Sequence, residues 1–300
     1  MFIIHYKNFF LILGAVLTLG GAVLTFAPGI PLGVDFAGGT VIEAVYEVRA
    51  DKAAISGQLN TTGHTYSLRE LGEKGYTLRT EELTPEEVKI VTAALSLPDN
   101  SATIEKITTV GPSLSQELAS KALVAFVVLS LAIMFYIALV FRKVSKPVPS
   151  ILYGTIVVIT LLPDVLIPTG FYAILAQFGG VELDALFVVA LLAILGYAVN
   201  DTIVVLDRVR ENVKDVQEKK SGESFEVTVG KSLQQTYARS INTSVTVMLS
   251  LLALFFFGAQ ATENFALTLL VGVIAVTYSS IFIAAPLLVF FQKWLFSKGK

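Results

Sequence analysis

Residues 196–212 read GYAVNDTIVVLDRVREN. The stretch closes a long apolar run that begins near Asp184, and it carries Asn200 and Asp201 into that run with no basic residue beside them. Asp207 and Arg208 then open a charged segment that belongs at or beyond a membrane surface. At the helical rise of ~1.5 Å per residue, Asp201 lies about 9 Å inside that end. An ionisable side chain at such a depth is expensive, and that expense marks it as a functional candidate. The alternative ends the helix near Tyr197 and leaves Asp201 among the headgroups. Ile203, Val204, Val205 and Leu206 continue the apolar character past it and argue against that end.

Composition supplies the solvent. Of 300 residues, 54% are hydrophobic and 15% charged, against about 25% charged in a soluble domain. Mean hydropathy is +0.71. The chain therefore reads as a polytopic α-helical membrane protein. The absence of cysteine excludes disulfides and Cys-ligated metals. His5 and His64 lie far apart, so no His-based metal or nucleophile site is expected. No Ser-His-Asp or H-E-x-x-H pattern and no basic aromatic patch is present, so the reading is of a chain that is neither an enzyme nor a nucleic-acid binder.

The chain divides into residues 1–27, 28–115 and 116–300. Phe9 to Ala27 is long enough for a first span across a core of ~30 Å. A cleaved signal peptide is the alternative, but Gly14, Thr18 and Ala22 form a small-residue stripe suited to helix packing. Residues 28–115 open with the bend GVDFAGGT, 33–40, whose glycines permit unusual backbone angles. A strand over 40–48, a helix over 50–59 and a hairpin turning at 72–75 follow. Next come a helix with Thr84 as N-cap, Pro85 at its first position and Glu87 completing a capping box, and a last strand over 101–110. The order β-α-β-β-α-β is that of a ferredoxin-like α+β domain. The bend lacks the Lys-Ser/Thr of a phosphate loop and precedes a strand, so nucleotide binding is discarded.

Five further spans are read at about 122–141, 150–175, 184–206, 240–257 and 265–291. Connections alternate between basic ones (142–146, 207–239, 293–300) and ones free of Lys and Arg (176–183, 258–264). By the positive-inside rule both termini are cytoplasmic, the six spans cross the cytoplasmic membrane, and the domain at 28–115 is extracytoplasmic. Asp164 is a second intramembrane acid, its alternative being a kink residue beside Pro163. Arg239 before the fifth span is the natural cationic partner of Asp201, or else an ordinary interfacial anchor. Asn200, Thr202, Asn242, Thr243, Ser244 and Thr246 are candidates for a hydrated path, or for helix-to-helix hydrogen bonding.

GVDFAGGT, TTVGPSLSQEL (108–118), ELDALFVVALLAILGYAVNDTIVVLDRVREN (182–212) and SLQQTYARSINTS (232–244) together resemble the SecF family. These are the smaller members of the SecD–SecF protein-export membrane complex, within the resistance-nodulation-division superfamily. The resemblance implies an accessory subunit of the Sec translocase that uses the proton-motive force to complete export of unfolded preproteins. It implies SecD, the SecY-E-G channel and preproteins as partners in a lipid bilayer, with protons as coupling ion and no cofactor or metal. It assigns Asp201, Arg239 and Asp164, with Asn200 adjoining, to a proton pathway. It also makes Asp35, Gly38, Gly39, Gly111 and Pro112 structural motif positions. Where the family often has His before the span-three acid, this chain has Pro163. Two other functions fit the residues: a small-molecule or lipid exporter of the same superfamily, and a passive assembly scaffold. Against the exporter, an outward domain of this size lacks a porter region.

Overall fold

The computed structural model describes residues 2–141, 149–220 and 222–297. The basic cluster expected at Arg142, Lys143 and Lys146, and the terminal Lys298 and Lys300, fall outside the described residues. The chain forms two compact units, residues 31–123 with 182–185, and the remainder.

In chain order, the elements begin with α1 (Phe2–His5), α2 (Lys7–Phe26) and a single turn, α3 (Val34–Ala37). The smaller unit continues with β1 (Gly39–Val45), α4 (Lys52–Asn60), β2 (Tyr66–Leu71), β3 (Gly75–Thr80), α5 (Pro85–Leu95) and β4 (Thr103–Val110). Its sheet is antiparallel throughout, in the order β2-β3-β1-β4, as the ferredoxin-like reading requires. Alternation along β1 sends Ile42 and Ala44 to one face, where with Leu78 and Tyr76 they meet Ile55 and Leu59 of α4 and Val91 and Leu95 of α5. Burying each large apolar side chain contributes about 1.5–3 kcal/mol. The buried phenols are satisfied: Tyr46 donates to the Leu95 carbonyl and Tyr76 to that of Ala50. Burial pushes the Tyr46 phenol up to about 12, so it remains a donor.

The expected capping box is present at α5. Thr84 Oγ1 accepts from the Glu87 N–H, and the Glu87 carboxylate accepts from the Thr84 N–H at 2.8 Å. Those bonds, the backbone N–H of Thr84 first and its hydroxyl second, hold the Glu87 carboxyl below the usual range. A depressed folded value means the stabilisation is present above the unfolded carboxylate pKa and is lost as pH falls through the folded one. Amide protection in the first turn of α5, measured on the whole protein, should therefore fall on acidification. Glu87→Gln should remove that pH dependence; an unchanged profile in the variant would contradict the assignment.

The glycines of the bend have distinct causes. Gly38 (φ +75°) and Gly39 (φ +118°) adopt angles that disfavour a side chain, and a Cβ on Gly39 would lie 2.4 Å from the Thr80 carbonyl oxygen. Gly33 has an extended backbone, and a Cβ there would lie 2.9 Å from the Leu183 carbonyl oxygen.

The second unit is helical: α2, then α6 (Pro112–Phe141, from Val124 on), α7 (Ser150–Gly179) and α8 (Ala185–Lys219, from Leu186 on). It continues with α9 (Phe225–Phe257), a 3-10 turn at Gln260–Thr262, α10 (Glu263–Tyr278), a π-helical segment at Ser279–Ala284 and α11 (Ala285–Ser297). Among the described residues six segments are long and apolar enough to cross a membrane: α2, α6, α7, α8, α9, and α10 through α11. Alternation with solvent does not explain their burial; packing does. Most of α7 and the last span and half of the α8 span are enclosed, whereas α6 exposes Val124, Val127, Leu131 and Phe135 to whatever surrounds it.

Helix α2 meets α7 through glycine. A Cβ on Gly21 would lie 2.3 Å from the Leu166 carbonyl oxygen, and one on Gly170 would lie 2.5 Å from the Gly21 Cα. The tightest approach is thus at Gly21, three residues past Thr18 and beside Ala22; of the expected stripe, Gly14 is buried, a Cβ there lying 2.7 Å from Ile283 Cδ1, and Thr18 and Ala22 are half-buried. At one end of the bundle Glu226 of α9 receives both Lys7 of α2 and Lys293 of α11, each at 2.6 Å. The first and last spans therefore have their chain-terminal ends on the same side.

Candidate functional site

Helix α8 continues without a break from Ala185 to Lys219, so it does not stop at Tyr197. Its charged end is covered by short pairs along the helix, Arg208 with Glu211, Arg210 with Asp207 and Lys219 with Asp215. Such exposed pairs contribute a few tenths of a kcal/mol (~0.3–0.5) each and let the helix run on as a polar rod. Asp201 is different: it is 5% exposed, surrounded by the bundle.

Its partner is Ser280, whose hydroxyl donates to Asp201 Oδ2 at 2.5 Å. The neighbouring Ser279 donates to Asp164 Oδ1 of α7, also at 2.5 Å, and Asp164 is fully buried. The two serines begin the π-helical segment. In a regular α-helix consecutive side chains diverge by ~100°, and a π-bulge inserts an extra residue into a turn, a device concentrated at functional positions. Here one such segment serves two acids on two different helices. Among the described residues the Asp164 carboxyl makes no bond to the backbone freed by Pro163, and its second oxygen, Oδ2, is buried without a hydrogen-bond partner.

A polar thread continues from this centre. Ser280 also donates to the Thr277 carbonyl, the Thr277 hydroxyl donates to Ser244 Oγ at 2.6 Å, and Ser244 shares a hydrogen bond with the Tyr197 hydroxyl at 2.9 Å. Tyr197 sits one turn before Asp201 on α8. Thr202 is 1% exposed, and its hydroxyl has no partner among the described residues; the same holds for the buried Ser240 of α9. A buried hydroxyl without a partner is costly.

Of the residues expected in a proton pathway, Asp201, Asp164 and Thr202 are brought to the interior. Asn200, Arg239, Asn242 and Thr243 are not; all four are exposed on α8 or α9. Among the described residues Asp201 and Arg239 form no ion pair. Arg239 has no ion pair among the described residues and lines a groove of about 380 Å³ with Asp207, Glu211 and Gln235. The reason is helix rotation: Asp201 points to the last span, while Arg239 faces the open groove between α8 and α9. Ser279, Ser280, Thr277 and Tyr197 were missed. The adjacent serines at 279–280, in the middle of an otherwise apolar run, were the available signal.

Comparison with known proteins agrees with this architecture. Residues 90–294 match the family described as protein export membrane protein SecD/SecF, C-terminal, and residues 23–54 match the SecD/SecF GG motif. The protein translocase subunit SecF of Thermobaculum terrenum is 39% identical over 96% of this chain and 92% of its own length. The protein translocase subunit SecDF of Bacillus subtilis is 30% identical over 98% of this chain and 38% of its own. The crystal structure of SecDF from Thermus thermophilus, described as a translocon-associated membrane protein, superposes with a TM-score of 0.83 at 28% identity. That match covers 97% of this chain and 38% of that one. A fold of six apolar helices with a small four-stranded antiparallel sheet defines a polytopic membrane protein with an α+β domain. The chain belongs to the SecD/SecF family of protein export membrane proteins.

Proposed function

We propose that this chain acts as a SecF-type accessory subunit that, with a SecD-type partner and the SecY-E-G channel, uses the proton-motive force to complete preprotein export. The observation that carries the reading is the pair of buried acids, Asp164 and Asp201, each held by a neighbouring serine of one π-helical segment. A proton arriving at either carboxyl changes the charge buried between three helices, and so changes which packing is favoured. The available drive is about 2.3 kcal/mol per charge per 100 mV. Protons are the coupling ion in this reading, and no cofactor is invoked. The exposed Arg239, within or beside a span, calls for an acidic counter-group on a partner helix.

The test is gradient-dependent completion of preprotein export in vesicles containing this chain and its partner. Stimulation that vanishes when the proton gradient is collapsed is expected; equal export without a gradient removes the reading.

Sidedness follows from the same proposal, with both termini cytoplasmic and the α+β domain extracytoplasmic in the cytoplasmic membrane. The shared Lys7–Glu226–Lys293 cluster supports one part of it, that the terminal ends of the first and last spans lie on the same side. Because the chain lacks cysteine, single replacements report cleanly. A membrane-impermeant maleimide applied to intact cells (with any outer membrane permeabilised) should label Ser101→Cys and spare Asp215→Cys; the reverse pattern would invert the topology.

A further inference from the structure

Residues 182–185, which precede and open α8, are held in a clasp built by the GVDFAGGT bend and the sheet face opposite α4 and α5. Leu32 and Leu183 form a parallel bridge: the Leu183 N–H donates to the Pro31 carbonyl and the Gly33 N–H to the Leu183 carbonyl, both at 2.8 Å. The lack of a side chain on Gly33 permits that approach. Glu182 receives Arg79 of β3 at 2.8 Å and Arg69 of β2 at 3.0 Å, and Arg79 also donates to the Leu32 carbonyl. Asp35 Oδ2 accepts from the Ala185 N–H at 2.8 Å. Ala185 is the first residue of α8, and its N–H is one of the helix-start donors that have no acceptor within the helix. A carboxylate there is favoured by the helix dipole as well.

Asp35 lies 150 residues away from the N–H it accepts, so this is tertiary wiring and not local helix capping. We infer that Asp35 and Glu182 are positioning residues that couple the α+β domain to α8, the helix that carries Asp201. The inference rests on the proton-driven reading above. Along a helix that runs unbroken from Ala185 past Asp201, a repacking around the acid alters the load on the first turn. A first turn tied to the bend passes that load to the domain. The ion pairs at Glu182 are partly exposed and individually modest, so the backbone bridge and the Asp35 bond carry the register. By reciprocity, a domain displaced from outside biases the protonation equilibrium of Asp201 by the same coupling.

The experiment compares Asp35→Ala, Asp35→Asn and Asp201→Asn in vesicles holding the complete complex, reading gradient-driven export, proton flux and hydrogen exchange at the Ala185 amide. Asp35→Ala should speed that exchange about fivefold, the loss of one helix-start acceptor, and should reduce export while proton flux persists. Asp35→Asn, whose carboxamide oxygen can accept the same N–H, should restore most of the export. Unchanged export in Asp35→Ala alongside abolished export in Asp201→Asn overturns the coupling and leaves the proton-driven reading standing. Parallel loss of flux and export in Asp35→Ala, without rescue by Asn, reduces Asp35 to a folding role and overturns the coupling too. Unaffected export in Asp201→Asn removes the proton-driven reading and the coupling with it.

Discussion

Asp201→Asn should lower gradient-driven export to the level seen with no gradient, with the amount of assembled protein unchanged. The carboxamide has the shape of the carboxyl and its oxygen still accepts from Ser280, so the packing of α8 on the last span survives. What is lost is the change of charge, and only a difference between two protonation states can drive a repacking. Ser280→Ala is the companion variant. It keeps the acid and removes its donor, so export should be reduced but not abolished, with a shifted pH profile. If Asp201→Asn exports as well as the parent while Ser280→Ala does not, the site is structural and protons do not act there.

Gly21→Leu should destabilise the helical unit by about 3 kcal/mol, near the upper end for overpacking. The first added carbon would lie 2.3 Å from the Leu166 carbonyl oxygen, and a backbone atom cannot rotate aside as a side-chain tip can. In a membrane, close approach through small residues is itself the source of attraction between helices, so forcing the pair apart loses dispersion along its length. Leu166 is two residues from Asp164, so the shift would also disturb the Ser279 bond. Gly20→Leu is the control, because a Cβ there meets nothing within 4 Å. Thermal unfolding in detergent should separate the two neighbours clearly; equal midpoints would mean that α2 does not dock on α7 through Gly21.

The order of strands and helices in the α+β domain is legible in the sequence, with element ends within about three residues and only the turn Val34–Ala37 unexpected, because its signals are local. Thr84, Pro85 and Glu87 specify a helix start by chemistry confined to one turn. The glycine-containing turn between β2 and β3 fixes the hairpin register. The six spans were legible from apolar length alone. Their rotation about their own axes was not, and that is where the site is decided. Asp201 and Arg239 both sit near the same charged end, yet only the packed structure turns one inward and the other out. The role of Ser279 and Ser280 was hidden for a related reason. A π-helical segment is a backbone adjustment with no sequence period of its own, so the adjacent serines mark a break in the apolar run without saying which acids they meet. Asp35 was recognisable as part of a motif, but its acceptor role depends on a residue 150 positions away.

Infrared difference spectroscopy on the reconstituted complex, recorded as the pH on one side is stepped, reads the protonation of a buried carboxyl directly. The expected result is a carboxylic-acid carbonyl band that appears with the step, vanishes in Asp201→Asn and shifts in Ser280→Ala as its hydrogen bond is removed. A band pattern identical in the parent and in Asp201→Asn would contradict the claim that Asp201 takes up and releases the proton.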